Sequence, residues 1–173
     1  MKIIDGGVTA AKGFKAAGMH AGIKKGTKKD MAMIVSSAPC MAAGTFTTNL
    51  VKAAPVKWDQ HVVYEHGEAR VVVVNSGIAN ACTGAEGYGY CEETAKAAAE
   101  ALGIDKDEVL VASTGVIGKQ LPIDTIKKGV KDLSGLLLDT REAATLAAES
   151  IMTTDTVKKA VSYTHLRAHE TDS

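Results

Sequence analysis

The stretch Arg70-Val-Val-Val-Val-Asn75, continued by Ser-Gly-Ile-Ala-Asn-Ala-Cys-Thr-Gly-Ala-Glu-Gly over residues 76–87, decides the fold. Four consecutive valines are typical of a buried strand that is covered on both faces. The small polar residues that follow predict a loop. A helix is then expected from about Tyr90 to Leu102, because alanine has the highest helix propensity and Gly103 suits a C-cap. These residues therefore predict one strand–loop–helix unit.

A second unit of the same kind follows along the chain. Residues 108–112, Glu-Val-Leu-Val-Ala, predict another buried strand, and residues 113–118, Ser-Thr-Gly-Val-Ile-Gly, predict the loop at its end. A helix beginning near Pro122 and reaching about Leu133 fits the preference of proline for a first helical turn. The repeated order predicts an α/β (α+β layered) fold, with a mixed sheet packed by helices and with function on the loops that follow strands.

Shorter patterns flank these two units. The glycine-rich first thirty residues suggest short strands joined by tight turns, and Met31–Ser37 predicts a buried strand. Residues 44–49, Gly-Thr-Phe-Thr-Thr-Asn, begin with the alternation of a half-exposed strand. Asp139, with Glu142 three residues on, predicts a capping box for a last helix that ends near Met152.

Length and pattern together predict one domain over residues 1–161. The last stretch, SYTHLRAHETDS over residues 162–173, has no apolar periodicity. We expect this tail to be disordered and to lie outside the domain.

Composition excludes several classes of protein. Twenty Lys and Arg residues balance 20 Asp and Glu residues, so no electrostatic argument favours nucleic acid or an anionic membrane as a partner. No signal peptide and no membrane span can be identified. The three cysteines, Cys40, Cys82 and Cys91, form no CxxC pair, and we expect a cytoplasmic protein with reduced thiols. The local basic cluster is interpreted as a solvated turn; it comprises Lys24, Lys25, Lys28 and Lys29.

Two loops are candidates for binding or catalysis. Residues 75–87 lack the GxGxxG and GxxxxGK[ST] phosphate-binding patterns, which favours a tight turn over a phosphate cradle. In the 113–118 loop, the hydroxyl of Thr114 and the backbone N–H of Gly115 are candidate donors to the oxyanion of an acyl transfer reaction. A plain turn is the simpler interpretation of that spacing alone.

Other polar groups give weaker signals. Thr153-Thr154-Asp155-Thr156 is typical of turn chemistry, with substrate contact as the alternative. His165 and His169 are four residues apart but lack the remainder of a zinc motif, so no metal site is predicted. The remaining histidines form no recognisable triad with a serine or cysteine; they are His20, His61 and His66.

Several blocks in order resemble the ornithine acetyltransferase family, also called glutamate N-acetyltransferases. The blocks are Gly7–Phe14 with Ala17–Lys24, Ala43–Val56, Val74–Gly84, Ala112–Gly118 and Ile151–Thr156. The third block is similar to the family pattern NSGNANACTG, with Ile78 where the pattern has Asn. No side-chain role is carried over to that position.

The resemblance implies a mechanism and partners. The family moves an acetyl group from N-acetylornithine to glutamate, some members also use acetyl-CoA as donor, and no cofactor is required. A precursor cuts itself between Ala and Thr into α and β chains, which assemble as α2β2, and the freed Thr is the nucleophile with its own amine as base. By position, Thr114 and Gly115 would form the oxyanion hole. Thr153 would contact substrate, with Thr154 as the second choice.

The resemblance also predicts what this chain lacks. After Thr156 there is no Lys-Gly segment followed by an Ala-Thr pair, and the pair Ala144-Thr145 falls inside a predicted helix. We therefore expect an α portion without a nucleophile, inactive alone and exposing an apolar patch where the β portion would pack. Two alternatives stay open: a non-catalytic α/β module that binds an anionic small molecule or serves in assembly, and a related self-cleaving amidohydrolase.

Overall fold

A computed structural model describes residues 2–164 of the chain. The elements are β1 (Lys2–Ile4), β2 (Phe14–Met19), β3 (Met31–Met41), α1 (Ala54–His61), β4 (Glu68–Ile78), α2 (Glu86–Leu102), β5 (Val109–Val116), α3 (Ile123–Ser134), α4 (Arg141–Ser150) and β6 (Ser162–Thr164). A π-helical turn, Val62–His66, directly continues α1, and a 3-10 turn, Lys106–Glu108, precedes β5.

The central sheet has four strands in the order β2-β3-β4-β5. Strands β2, β3 and β4 pair antiparallel, whereas β4 and β5 are parallel and are joined by α2. The mixed sheet packed by helices that the sequence predicts is therefore confirmed. Because β4 and β5 run in the same direction, both glycine-containing loops leave the sheet at the same edge.

The valine run is covered on both faces, but unequally. Val71 and Val73 are 1% and 2% exposed, and they belong to the main core, which includes residues of α2 and α3. On the opposite face, Val74 is only partly buried and packs against the smaller cluster that α4 forms with β2 and β3. The second face therefore retains accessible apolar surface.

The predicted strand over residues 44–49 is wrong. Strand β3 already ends at Met41, where it pairs with Glu68, the first residue of β4. Beyond Met41, the Ala42 N–H still donates to the Gly67 carbonyl at 2.8 Å, but residues 44–49 pair with no strand of the described part of the chain, and most of this segment is exposed. Phe46 instead packs edge-on against Tyr64, with ring centroids 5.4 Å apart.

The helix ends differ modestly from the predicted ones. Helix α2 ends at Leu102, and Gly103 adopts the left-handed C-cap conformation with φ of 68°, as expected. The cap of α4 is Thr140 rather than Asp139, because the Thr140 hydroxyl accepts the N–H of Ala143 at 3.2 Å. This helix ends at Ser150, before the predicted end.

The tail forms regular structure where it is described. Ser162–Thr164 pairs antiparallel with Lys2–Ile4, so the prediction of disorder is wrong for these three residues. Residues 165–173, including His165 and His169, lie outside the described residues. Within residues 2–164, no helix combines the length and apolar character needed to cross a membrane.

Candidate functional site

The strands reach further than predicted: β4 ends at Ile78 and β5 at Val116, so the first residues of both predicted loops, including Thr114 and Gly115, belong to the strands. Ser76 lies opposite Thr114, and Gly77 lies opposite Gly115, in the parallel register. Beyond the strands the loops stay joined, because the N–H of Ala79 donates to the Val116 carbonyl at 2.9 Å. The candidate oxyanion donors therefore sit at the carboxyl edge of the sheet, where α/β folds place their ligands.

Gly115 occupies a position that only glycine can fill. Its φ is +129°, and a Cβ built there would lie 2.3 Å from the carbonyl carbon of Gly77. Both the left-handed φ and the contact between the two backbones exclude a side chain. Gly77, with φ of +107°, is in turn covered by the alkyl chain of Lys24.

The outer side of β5, which faces away from β4, leaves the Gly115 N–H available to a ligand. Strand β5 is an edge strand, and α1 covers its first part: the indole of Trp58 donates to the Val109 carbonyl at 2.8 Å, and Asp59 accepts the Val111 N–H at 2.9 Å. Backbone groups alternate in direction along a strand, so the Gly115 N–H lies on the same outward side as that of Val111. It lies beyond the reach of α1.

The carboxylate of Asp59 lies in a more buried environment than Gly115 does. Burial raises the pKa of Asp59 to about 6, and the hydrogen bond from the Val111 N–H opposes this increase. By contrast, Gly115 is exposed and Thr114 is only partly buried. Among the described residues the Thr114 hydroxyl has no hydrogen-bond partner. Two consecutive residues thus present donors at an accessible part of the sheet edge.

The 75–87 loop uses its polar groups internally. The Asn80 amide nitrogen donates to the Gly87 carbonyl at 2.8 Å, and its oxygen accepts the Thr83 hydroxyl at 2.7 Å. The Asn75 amide donates to the Ile78 carbonyl at 2.9 Å, and the Asn80 N–H donates to Ser113 at 3.0 Å. These bonds occupy side-chain donors that an anionic ligand would require, which supports the interpretation as a tight turn.

Thr153 and Thr154 follow α4 and are exposed. The start of their segment is tied to the site, because the hydroxyl of Ser76, the register neighbour of Thr114, donates to the Ser150 carbonyl. Two residues further on, the amine of Lys24 donates to the Met152 carbonyl at 2.5 Å. The structure therefore anchors the threonine segment beside the ends of β4 and β5.

The basic turn is only partly the solvated face that its composition predicts. Lys25 and Lys28 are exposed, but Lys24 is partly buried and Lys29 pairs with Glu149 at 3.0 Å. Burial lowers the pKa of Lys24, while the charge of Asp30 opposes this decrease. Lys24 and Lys29 thus bind the end of α4, a role that the lysine spacing did not reveal.

Asp30 is the residue that sequence reasoning missed. It is fully buried, and its carboxylate accepts four backbone N–H groups at 2.6–3.2 Å, from Ala21, Gly22, Ile23 and Lys24. The carboxylate therefore folds the turn around itself and places Lys24 over Gly77. The only signal in the sequence is an acidic residue between a polar turn and an apolar strand.

Comparison with the sequences of known proteins relates this chain to one family. A sequence profile of the ArgJ family matches residues 15–171. The arginine biosynthesis bifunctional protein ArgJ of Gloeobacter violaceus is 52% identical over 156 residues, which are 90% of this chain and 38% of that protein. The chain thus spans well under half the length of this relative.

Solved structures agree with the sequence match. The arginine biosynthesis bifunctional protein ArgJ of Bacillus halodurans superposes with a TM-score of 0.87 at 42% identity, over 92% of this chain and 83% of that one. Ornithine acetyltransferase of Mycobacterium tuberculosis, in complex with ornithine, superposes with a TM-score of 0.86 at 44% identity, over 90% and 84% of the two chains. The chain belongs to the ArgJ family.

Proposed function

We propose that this chain is the N-terminal α portion of an acetyltransferase that moves an acetyl group from N-acetylornithine to glutamate. Membership of the ArgJ family supports this proposal, as does the likeness to an ornithine acetyltransferase whose structure contains ornithine.

The observation that carries the proposal is the pair of available donors at Thr114 and Gly115. Attack on an acetyl carbonyl produces a tetrahedral oxyanion, and fixed N–H and O–H donors stabilise it more than they stabilise the neutral carbonyl. The two residues are consecutive on an edge strand, and the close packing of Gly115 on Gly77 holds the backbone in place. Such rigidity is what preorganised electrostatic stabilisation requires.

The nucleophile in this proposal comes from the β portion. Thr145, the only threonine that follows an alanine within residues 140–156, lies inside α4, where Arg141 donates to its hydroxyl at 3.3 Å. A helical threonine has no free α-amine to act as base. The chain therefore contributes the oxyanion hole, and a threonine at the start of the β portion contributes the attack, within an α2β2 assembly.

The surface that receives the β portion is an apolar groove on the less covered face of the sheet. The groove has a volume of about 410 Å³, and its lining includes Ile34, Val74, Ala147 and Ile151. Exposed apolar grooves of this kind mark protein contacts. The groove lies between α4 and the sheet, next to the segment that carries Thr153.

Thr153 is the proposed substrate contact, with Thr154 as the second choice. Both hydroxyls are exposed, and the segment before them is anchored through Ser150 and Met152 to the strand ends. A hydroxyl at that place is suited to a hydrogen bond with the polar end of an N-acetylated amino acid or of glutamate.

Reconstitution tests the function. The chain is mixed with the complementary C-terminal part of the Gloeobacter violaceus relative, produced separately, and acetyl transfer from N-acetylornithine to glutamate is measured. We expect activity from the folded mixture and none from either part alone. A well-folded mixed complex without transfer, or full activity from this chain alone, would contradict the proposal.

A further inference from the structure

The opposite end of β4 and β5 carries a second cluster of polar side chains. Helix α1 ends at His61 and runs into the π-helical turn, which ends at His66. In an α-helix, residues five positions apart point about 140° away from each other. Here the turn is wider, closed by a bond from the Gly67 N–H to the Val62 carbonyl at 3.0 Å, and the two imidazole centroids are 5.1 Å apart.

A carboxylate faces both imidazoles. Asp107 lies on the 3-10 turn before β5; its Oδ1 is 3.6 Å from Nε2 of His61, and its Oδ2 is 3.7 Å from Nε2 of His66. One nitrogen or oxygen atom from each of the three residues lies within 4.8 Å of the other two. The three side chains therefore converge on one point from two different segments.

The His61 ring is oriented by a further carboxylate. Its Nδ1 is 3.0 Å from Oε2 of Glu65. A carboxylate on one ring nitrogen favours the tautomer that leaves the other nitrogen unprotonated, and metal-binding histidines are commonly supported in this way. The free Nε2 is the atom that faces Asp107.

We propose that His61, His66 and Asp107 bind one divalent cation of the Zn²⁺ type, separate from the acetyl transfer site. Two imidazoles and one carboxylate suit Zn²⁺ and Co²⁺, whereas Mg²⁺ and Ca²⁺ prefer all-oxygen sites. With bonds of 2.0–2.1 Å, tetrahedral ligand atoms are about 3.3 Å apart. The separations of 3.6 and 3.7 Å from Asp107 end on different carboxylate oxygens, so the side chains must rotate for three ligand atoms to reach that value around one cation.

One group competes with the cation. The amine of Lys106 lies 2.9 Å from Oδ1 of Asp107, and it also sits 5.4 Å from the centre of the Trp58 ring. A partly exposed ammonium–carboxylate pair contributes little free energy, so a cation held by two imidazoles displaces it. Removing the Lys106 charge therefore strengthens cation binding.

Titration of the tag-free 173-residue chain with Co²⁺ and Zn²⁺, after chelator treatment, tests this site. We expect one equivalent of Co²⁺ to saturate the site and to give visible absorption. Added Zn²⁺ should displace the Co²⁺ and remove this absorption. His66→Gln should weaken binding about tenfold or more, and Lys106→Gln should tighten it. His66 is the ligand of choice because its side chain is 41% exposed, so the variant should keep the wild-type circular dichroism spectrum.

Histidines elsewhere in the chain supply the controls. His20→Gln and the double variant His165→Gln/His169→Gln should bind Co²⁺ as the wild type does. Zn²⁺ should raise the unfolding temperature of the wild type and of these controls, but not that of His66→Gln. The proposal is overturned if no one-equivalent saturation occurs, if His66→Gln binds normally, or if the double variant loses binding.

Discussion

The ends of β4 and β5 carry similar residues, Ser76-Gly77-Ile78 and Thr114-Gly115-Val116, yet the polar groups there and in the loops beyond are used differently. After β4, Asn80 is 2% exposed and hydrogen-bonds to residues of its own loop and of α2. At the end of β5, Val116 and the following Ile117 are 60% and 63% exposed, and the preceding Thr114 hydroxyl has no partner within the described residues. The loop after β4 holds the sheet edge together, whereas the end of β5 leaves its donors available for a ligand.

Substituting Gly115, near the end of β5, should have the largest effect. Gly115→Ala forces a Cβ to within 2.3 Å of the Gly77 carbonyl carbon at a φ of +129°. We expect a loss of about 2–4 kcal/mol in the free energy of unfolding. Transfer activity of the reconstituted enzyme should fall about a thousandfold. Denaturant titration and steady-state kinetics measure the two quantities.

Gly118→Ala is the matched control for that substitution. Gly118 also has a left-handed φ, +75°, but a Cβ there would meet no atom within 4 Å. We expect Gly118→Ala to lower the free energy of unfolding by about 1–2 kcal/mol, because only the backbone conformation is unfavourable for alanine. Equal effects of the two substitutions would show that the close approach to Gly77 is unimportant.

Substituting Asn80, in the loop after β4, should lower the free energy of unfolding rather than the rate of acetyl transfer. Asn80→Ala leaves the Gly87 carbonyl and the Thr83 hydroxyl without their partner. Unsatisfied buried polar groups cost about 1–3 kcal/mol each, so we expect a decrease of about 2–3 kcal/mol in unfolding free energy. Asn49→Ala, at an exposed position, should change it by less than about 0.5 kcal/mol. An unaltered unfolding midpoint for Asn80→Ala would refute the structural role of this loop.

The anchor between the basic turn and α4 should have a smaller effect. Lys24→Met keeps the alkyl packing over Gly77 but removes the donor to the Met152 carbonyl. A loss of about 1 kcal/mol in unfolding free energy is expected, together with a higher KM because the threonine segment loosens. Lys25→Met, at an exposed lysine of the same turn, is the control. Identical behaviour of both variants would argue against the anchor.

The threonine segment should give the smallest change in stability. Thr153→Ala and Thr154→Ala both alter exposed side chains, so each should shift the unfolding free energy by less than about 0.5 kcal/mol. If Thr153 contacts substrate, its variant should raise KM several-fold more than the Thr154 variant does. The reverse order in KM would assign the contact to Thr154.

Local patterns predicted much of the fold. The valine run, the alanine-rich helix and Gly103 predicted β4, α2 and the end of that helix, because burial and capping act over a few residues. The prediction of a strand over residues 44–49 was wrong because a strand needs a partner. Pairing stops where β4 begins, and the sequence of residues 44–49 does not indicate that position. The cap of α4 shifted by one residue, since Asp139 and Thr140 are both suitable caps.

The candidate site was predicted less completely. Thr114 and Gly115 could be named from spacing and resemblance, but their availability depends on where α1 stops covering β5. The Asp30 carboxylate accepts N–H groups six to nine residues before it, the anchoring by Lys24 joins two separate segments, and the pairing of His61 with His66 depends on a π-helical turn. None of these has a local sequence pattern, so only the folded chain reveals them.

The most direct test of the central proposal compares Thr114→Val with Thr114→Ser in the reconstituted enzyme. The Val variant removes the hydroxyl while preserving shape, and the Ser variant retains it. We predict that Thr114→Val lowers kcat about 10²–10³-fold with little change in KM, whereas Thr114→Ser stays within about tenfold of the wild type. A folded Thr114→Val complex with wild-type kcat would contradict the role of this hydroxyl in stabilising the oxyanion.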